Sequence, residues 1–250
     1  MNDTLGDRMK ERFENRTRYF LPRRTYTIIR VDGKAFHTYT RGRGRPYDVT
    51  LMASMNEAAK ALCEEIQGAK FAYVQSDEIS ILLTDFTKIT TDAWFDGNIQ
   101  KIVSVAASIA TETFNTAEPN RKRARFDARV FTVPDRVEVE NYFVWRQKDA
   151  VRNSISLAAQ TYFSPNQLHG VSCDQMQDML FKEKGINWSE YPNHFKNGRW
   201  VIKEPDLDDE INERTHWVAQ AAPIFTQERD KLSALIPNHG YDSIKVESKC

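Results

Sequence analysis

The spacing of apolar residues changes several times along the first half of the chain, and each change marks an element. Thr25 to Val31 (TYTIIRV) is dense in β-branched and aromatic residues, which suit a partly buried strand, and it runs straight into Asp32-Gly33. After a loop rich in glycine and arginine, Asp48 is placed to cap a helix in which Leu51, Met55, Ala58, Leu62 and Ile66 recur at helical spacing, with Gly68 to end it. Two apolar runs follow, Phe71 to Val74 and Ile79 to Leu83. The polar Gln75-Ser76-Asp77-Glu78 between them predicts a hairpin. A second helix is predicted from about Asn98 to Phe114, where Ile102, Val105 or Ala106, Ile109 and Ala110 share a face. Phe126 to Val133 (FDARVFTV) reads as another strand, stopped by Pro134.

The order up to Pro134 is thus β-α-β-β-α-β, the ferredoxin-like arrangement. It gives an antiparallel sheet with two helices on one face, on which the palm of many polymerases and nucleotide cyclases is built. Beyond Pro134 the pattern turns helical: Val137 to about Tyr162 predicts one or two helices, and Ser172-x-x-Gln175 offers a capping box for another that closes at Gly185. Asn197-Gly198, between Phe195 and Trp200-Val201, predicts a two-residue hairpin turn, and a last helix is expected from about Thr226 to Ile236. The fold class is α+β: a palm-like part over residues 1–136, and a mainly helical part with a small hairpin over residues 137–250.

Composition narrows the classes of function. With 40% hydrophobic and 28% charged residues, the 250-residue chain has the make-up of a soluble globular protein rather than a disordered one. No run approaches the roughly 20 apolar residues of a spanning helix, and the polar start MNDTLGDRMKERFENRTRYF lacks a secretory signal. A cytoplasmic location without a membrane partner is expected. Cys63, Cys173 and Cys250 are odd in number and widely spaced, with no C-x-x-C pair, which predicts reduced thiols. The net charge is zero but unevenly spread: basic clusters stand at Arg16 to Arg24, Arg41 to Arg45 and Arg121 to Arg129, and an acidic stretch runs from Glu204 to Glu213. A local basic surface is all that phosphate binding needs, whereas a solvated face is the simpler reading of the acidic stretch.

In a ferredoxin-like sheet the end of the first strand and the tip of the central hairpin are neighbours, so Asp32 and Asp77 are expected to meet. Two carboxylates at that edge suit a pair of Mg²⁺ ions, which take oxygen ligands and leave room for phosphate oxygens. Glu78 is a weaker third ligand. Aspartate is also a common turn residue, and spacing alone fits either reading. Gly33-Lys34-Ala35-Phe36-His37 follows, and its glycine lets backbone N–H groups turn toward an anion such as a triphosphate. Arg41, Arg43 and Arg45 stand ready to neutralise phosphate charge, although a flexible surface loop has the same composition.

RVDGKAFHTYTRG at Arg30 to Gly42, RPYD at Arg45 to Asp48, YVQSDEISILL at Tyr73 to Leu83, FDARVF at Phe126 to Phe131 and YFVWRQKDAVRNS at Tyr142 to Ser154 resemble, in order, the motifs of the tRNA-histidine guanylyltransferase superfamily. The resemblance implies the palm fold and a metal-dependent nucleotidyltransferase acting at the 5′ end of tRNA, with ATP or GTP as substrates and two Mg²⁺ ions as cofactors. Asp32 and Asp77, with the backbone carbonyl of Gly33, would hold the metals, and Glu78 would support them. Asp32, Gly33, Lys34, Ala35, Phe36 and His37, with Arg45, Ser76 and Asp77, would bind the nucleotide. Arg45 falls where many members carry lysine. Arg129, Asp149 and Asn153 match positions used around a nucleotide or the RNA 5′ end, with a structural ion pair or helix cap as the alternative. Arg121, Arg123 and Arg125 would meet RNA. The family also implies a homotetramer.

One departure bears on the subfamily. Members that add a single G to tRNA-histidine carry HINNLYN after the WRQxDC segment, whereas this chain reads Val151-Arg152-Asn153-Ser154-Ile155-Ser156-Leu157. It looks more like the bacterial and archaeal guanylyltransferase-like proteins, which implies template-dependent 3′-to-5′ repair of shortened tRNA. A palm-fold nucleotide cyclase and a non-catalytic tRNA-binding protein are the competing readings. The basic cluster and the motifs after Pro134 oppose the first, and the intact carboxylates oppose the second.

Overall fold

The computed structural model describes residues 4–206 and 214–239. Cys250 and residues 207–213 of the acidic stretch lie outside them. The described strands are β1 (Tyr26–Gly33), β2 (Ala69–Gln75), β3 (Glu78–Thr84), β4 (Phe126–Val133), β5 (Arg199–Pro205) and β6 (Thr215–Ala221). They pair antiparallel in one sheet of order β4-β1-β3-β2-β5-β6. The first four strands have the order expected of a ferredoxin-like sheet. Helices α1 (Leu5–Arg12), α2 (Phe36–Tyr39), α3 (Val49–Glu65), α4 (Ile99–Ala117), α5 (Arg136–Tyr162), α6 (Pro165–Leu168), α7 (Cys173–Lys184), α8 (Asn193–Lys196) and α9 (Arg229–Ala234) surround it.

Alternation along the strands divides the core in two. Ile29, Val31, Val74 and Ile81 point to one face and pack with Met55 and Leu62 of α3 and Phe114 of α4. Ile28, Phe71 and Leu82 point to the other and pack with Phe143 of α5 and with Phe225. Strand β3 is buried at every position, which is why its sequence is an apolar run rather than an alternation. The capping signals sit where the sequence places them. Asp48 accepts from the Leu51 N–H, Asn98 from the Lys101 N–H, and Ser172 with Gln175 forms a capping box.

The second part differs from its expected outline. Asn197-Gly198 does not turn a hairpin, because the residues before it are helical (α8). Gly198, at φ 76°, instead leads into β5, pressed so close to Tyr73 that a Cβ would lie 2.4 Å from its hydroxyl. Strands β5 and β6 do pair, and β5 also pairs with β2, covering an edge that would otherwise be open. The palm sheet therefore draws strands from both sides of residue 136, and α5, one continuous helix, lies across its second face. Phe143 is fully buried with its ring 4.5 Å from that of Phe71. Phe143→Ala is expected to cost about 3–5 kcal/mol in urea unfolding, by lost burial and the cavity left behind.

Candidate active site

Strand β1 ends where β3 begins. The register sets Asp32 opposite Glu78 on β3 and opposite Asp127 on β4, and the Gly33 N–H donates to the Asp77 carbonyl oxygen at 3.1 Å. Asp32, near the end of β1, and Asp77, in the turn from β2 to β3, thus meet at one end of the sheet. The turn from β2 to β3 has only two residues, and Ser76 takes a positive φ of 49° to make it. Such a conformation in a non-glycine residue is costly and tends to occur at functional sites. The Ser76 hydroxyl donates to Asp77 Oδ1 at 2.9 Å. Burial pushes the Asp77 carboxyl up to about 6; the Ser76 hydrogen bond opposes that shift, and the charge of Asp32 adds to it.

This arrangement fits a divalent cation. The donors are hard oxygens, and a cation would offset both the burial that raises the Asp77 carboxyl and the Asp32 charge that adds to it. Among the described residues no cluster of three or more His, Cys, Asp or Glu is arranged to hold a metal. The side-chain donors are therefore the two aspartates, which is enough for Mg²⁺ that shares its shell with phosphate and water. Glu78 is engaged elsewhere. Its carboxylate accepts hydrogen bonds from Arg146 Nε at 2.7 Å and Nη2 at 2.6 Å, a two-pronged pair nearly closed off from solvent.

The phosphate-loop candidates divide by what they face. Gly33 must be glycine, since a Cβ would lie 2.2 Å from the Phe36 ring. That ring is buried against Tyr39, Phe114 and Phe126, so Phe36 offers a ligand only its backbone. Ala35, at φ 56°, caps α2, and the Lys34 N–H donates to the Arg125 carbonyl at 2.8 Å, tying the loop to the basic run. His37 is exposed, with Nε2 at 3.0 Å from the Thr38 hydroxyl. Arg43 turns inward: its guanidinium lies 3.2 Å from Asp48 and 2.9 Å from Glu118, joining the loop to the start of α3 and the end of α4. Arg41 and Arg45 remain exposed.

Two hollows flank this loop. One, of about 150 Å³, is lined by Arg45, Tyr47, Leu51, Ser76, Asn153 and Phe195 and has Gln75 and Arg199 in its wall. Gln75 Oε1 and Arg199 Nη2 are buried there without hydrogen-bond partners. Burial lowers Arg199 to about 10, which leaves it charged at neutral pH. Sequence reasoning missed both residues, because a polar group inside a strand pattern carries no signal of what it faces. The other hollow is open and basic, lined by Lys34, Arg41, Arg121, Arg123 and Arg125. Arg121 also lies 3.6 Å from Glu118, and Arg123 donates to the Asn115 carbonyl. Arg129 stands apart on β4, 3.9 Å from Asp127. Asp149 is tied to Arg146 at 3.0 Å and to Arg152, the ion-pair arrangement weighed for it above.

A ferredoxin-like sheet with paired carboxylates at the end of its first strand and the tip of its hairpin has the plan of palm-type nucleotidyl-transfer enzymes. Residues 6–134 match the family model for tRNAHis guanylyltransferase. The tRNA(His) guanylyltransferase of Debaryomyces hansenii is 31% identical over 229 residues, covering 80% of this chain and 83% of its own. A bacterial tRNA(His) guanylyltransferase-like protein solved in complex with ATP is 44% identical with a TM-score of 0.86, over 94% of this chain and 99% of that one. One solved in complex with GTP is 43% identical with a TM-score of 0.82, over 93% and 99%. This chain belongs to the tRNAHis guanylyltransferase family, whose members are nucleotidyltransferases. No helix among the described residues is long and apolar enough to cross a membrane.

A cation needs Asp77 ionised, so Mn²⁺ or Mg²⁺ affinity measured by calorimetry is expected to rise with pH through about 6 and then level off. In metal-free protein the folded state holds that proton more tightly than the unfolded chain. Stability is therefore lost as pH rises from the ordinary 3.8 to about 6, and Asp77→Asn should flatten that slope. Removing Arg146 would strand the buried Glu78 charge. Arg146→Met is expected to cost roughly 3–5 kcal/mol in urea unfolding, and Glu78→Gln in the same chain should recover part of it.

Proposed function

We propose that the chain adds nucleotides to the 5′ end of tRNA in the 3′-to-5′ direction, using the opposite strand as template, and so restores tRNAs shortened at that end. The observation that carries this reading is the Asp32–Asp77 pair, whose chain neighbour Ser76 lines a cavity of about 150 Å³ and whose loop residue Lys34 lines an open basic hollow, on a chain 44% identical to a protein solved with ATP. The RNA 5′-monophosphate first attacks the α-phosphate of ATP or GTP, forming a 5′-5′ linkage and releasing pyrophosphate. The 3′-hydroxyl of an incoming nucleotide, paired to the template, then attacks the activated 5′ phosphate and displaces AMP or GMP, its proton passing to solvent.

Each group of residues has a part in this. Asp32, Asp77 and the Gly33 carbonyl would hold two Mg²⁺ ions, which supply an activated hydroxyl and neutralise phosphate charge. The Gly33 and Lys34 N–H groups brace the loop against Asp77 and Arg125, and those of Ala35, Phe36 and His37 would cradle the triphosphate, with Ser76 and Arg45 at the cavity mouth. Tyr47, Leu51 and Phe195 wall the cavity for the base. Arg121, Arg123 and Arg125 would receive RNA phosphates, and Arg129 and Asn153 would contact the RNA end. Catalysis rests on positioning and charge neutralisation, with no covalent protein intermediate. The homotetramer that the family resemblance implies, and the cytoplasmic location, belong to the same reading, and a sizing column tests the first.

Val151 makes the reading specific. Without the histidine of the tRNA-histidine-selective enzymes, selection is expected to rest on the acceptor end more than on the anticodon. The test supplies 5′-truncated tRNA-histidine and a second truncated tRNA with all four triphosphates and Mg²⁺. Extension of both by the templated base is expected; extension of tRNA-histidine alone, by an untemplated G, would show a histidine-specific guanylyltransferase instead. Asp32→Ala and Asp77→Ala should each abolish both steps. Reversing the charge of Arg121, Arg123 and Arg125 together should weaken RNA binding and flatten its salt dependence.

A further inference from the structure

The sheet face that carries Asp32 forms a floor beside α5 in which Trp145 and Arg30 have no part in the assignments above. Trp145 stands on α5 with 52% of its surface exposed, high for so large an apolar side chain. Its indole is not loose: the Arg146 guanidinium carbon lies 4.4 Å from the ring, and the Tyr142 ring is 5.8 Å away. Arg146 is the residue clamped on Glu78, and Glu78 faces Asp32 across the β1–β3 ladder. Contacts therefore run without a break from the carboxylate edge to the indole.

A second observation lies on the strands beneath. Tyr142 bonds Ser80 at 2.9 Å, Ser80 is opposite Arg30, and Arg30 is opposite Arg129 on β4. Two like charges directly across an antiparallel pair are unfavourable unless an anion lies between them. Arg30 Nε is buried without a hydrogen-bond partner, and Arg129 has only a long 3.9 Å contact to Asp127, itself 62% exposed. The floor thus offers an aromatic plate at one side and two insufficiently compensated guanidinium groups at the other.

We propose that this floor receives the 5′-terminal nucleotides of the RNA, with Trp145 stacking on a base and the Arg30–Arg129 pair clasping a backbone phosphate. Both contacts are indifferent to base identity, as suits an enzyme in which template pairing chooses the nucleotide. The inference rests on the RNA-substrate reading above and goes beyond it by naming Trp145 and Arg30.

The experiment titrates the full-length protein with a 5′-phosphorylated RNA hairpin shaped as an acceptor stem and follows affinity and tryptophan emission. Trp145→Ala is expected to weaken binding about tenfold and Trp145→Phe, which can still stack, by less than about threefold. Arg30→Gln should lower the salt slope by about one phosphate contact. An ATP-induced rise in melting temperature in each variant checks that the nucleotide site is folded. If Trp145→Ala does not fold, Trp145→Phe decides, because the hairpin must quench wild-type emission more than that of this variant. Wild-type affinity in folded Trp145→Ala, equal losses in the alanine and phenylalanine variants, or equal quenching in wild type and Trp145→Phe would each overturn the inference while leaving RNA binding intact. A wild-type protein that binds no hairpin overturns the RNA-substrate reading itself.

Discussion

The Gly33 N–H donates to the Asp77 carbonyl oxygen at the last rung of the β1–β3 ladder, and the site is built outward from that bond. Asp32 and Asp77 carry like charges, and like charges brought to one end of a sheet repel. They stay together because the ladder runs unbroken from Tyr26 opposite Thr84 to Asp32 opposite Glu78, with apolar side chains buried on both faces behind it. Slipping that register by one residue would turn both cores inside out. The cost of holding the charges together is spread over the whole sheet, and the Asp32 charge adds to the burial that raises the Asp77 carboxyl.

What surrounds the pair is held by ion pairs that reach across elements. Arg43 ties the glycine-rich loop to Asp48 and Glu118, so a loop rich in glycine and arginine is anchored to two helices rather than free. Arg146 ties α5 to Glu78 at the start of β3 and to Asp149 on its own helix. Each lone partner would be an uncompensated buried charge, which makes these links determinants of geometry more than sources of stability. They also join the second half of the chain to the first: α5 and β5 begin beyond residue 136, yet one clamps the carboxylate edge and the other extends the sheet.

The central sheet was legible in the sequence because its signals are local. Period-two runs, helix caps and a polar tetrapeptide between apolar strands give β1 to β4 and the helices between them, and topology then brings Asp32 to Asp77. The place of β5 was not legible, since pairing with β2 is a long-range contact and Asn197-Gly198 gives the same short-range sign in a hairpin as in the lead-in to a strand. The side chains divide in the same way. Asp32 and Asp77 could be placed from their strand ends, whereas Arg43, Glu78 and Phe36 read as site residues and are largely committed to packing or to ion pairs. Arg146 lay within a quoted motif without a role, because its partner is 68 residues away. Charge and spacing reveal which residues can do chemistry; only the fold reveals which are free to.

Nucleotidyl transfer by the paired aspartates onto an RNA 5′ end, the role proposed for them, can be followed with labelled phosphate. ATP labelled at its α-phosphate would be incubated with Mg²⁺ and a 5′-monophosphorylated RNA hairpin, without the other nucleotides, and the products separated. The account predicts label joined to the RNA through a 5′-5′ linkage that resists phosphatase, lost on omitting Mg²⁺ and absent with Asp77→Asn. Label recovered as a cyclic nucleotide, or RNA that stays unlabelled while ATP is consumed, would contradict it.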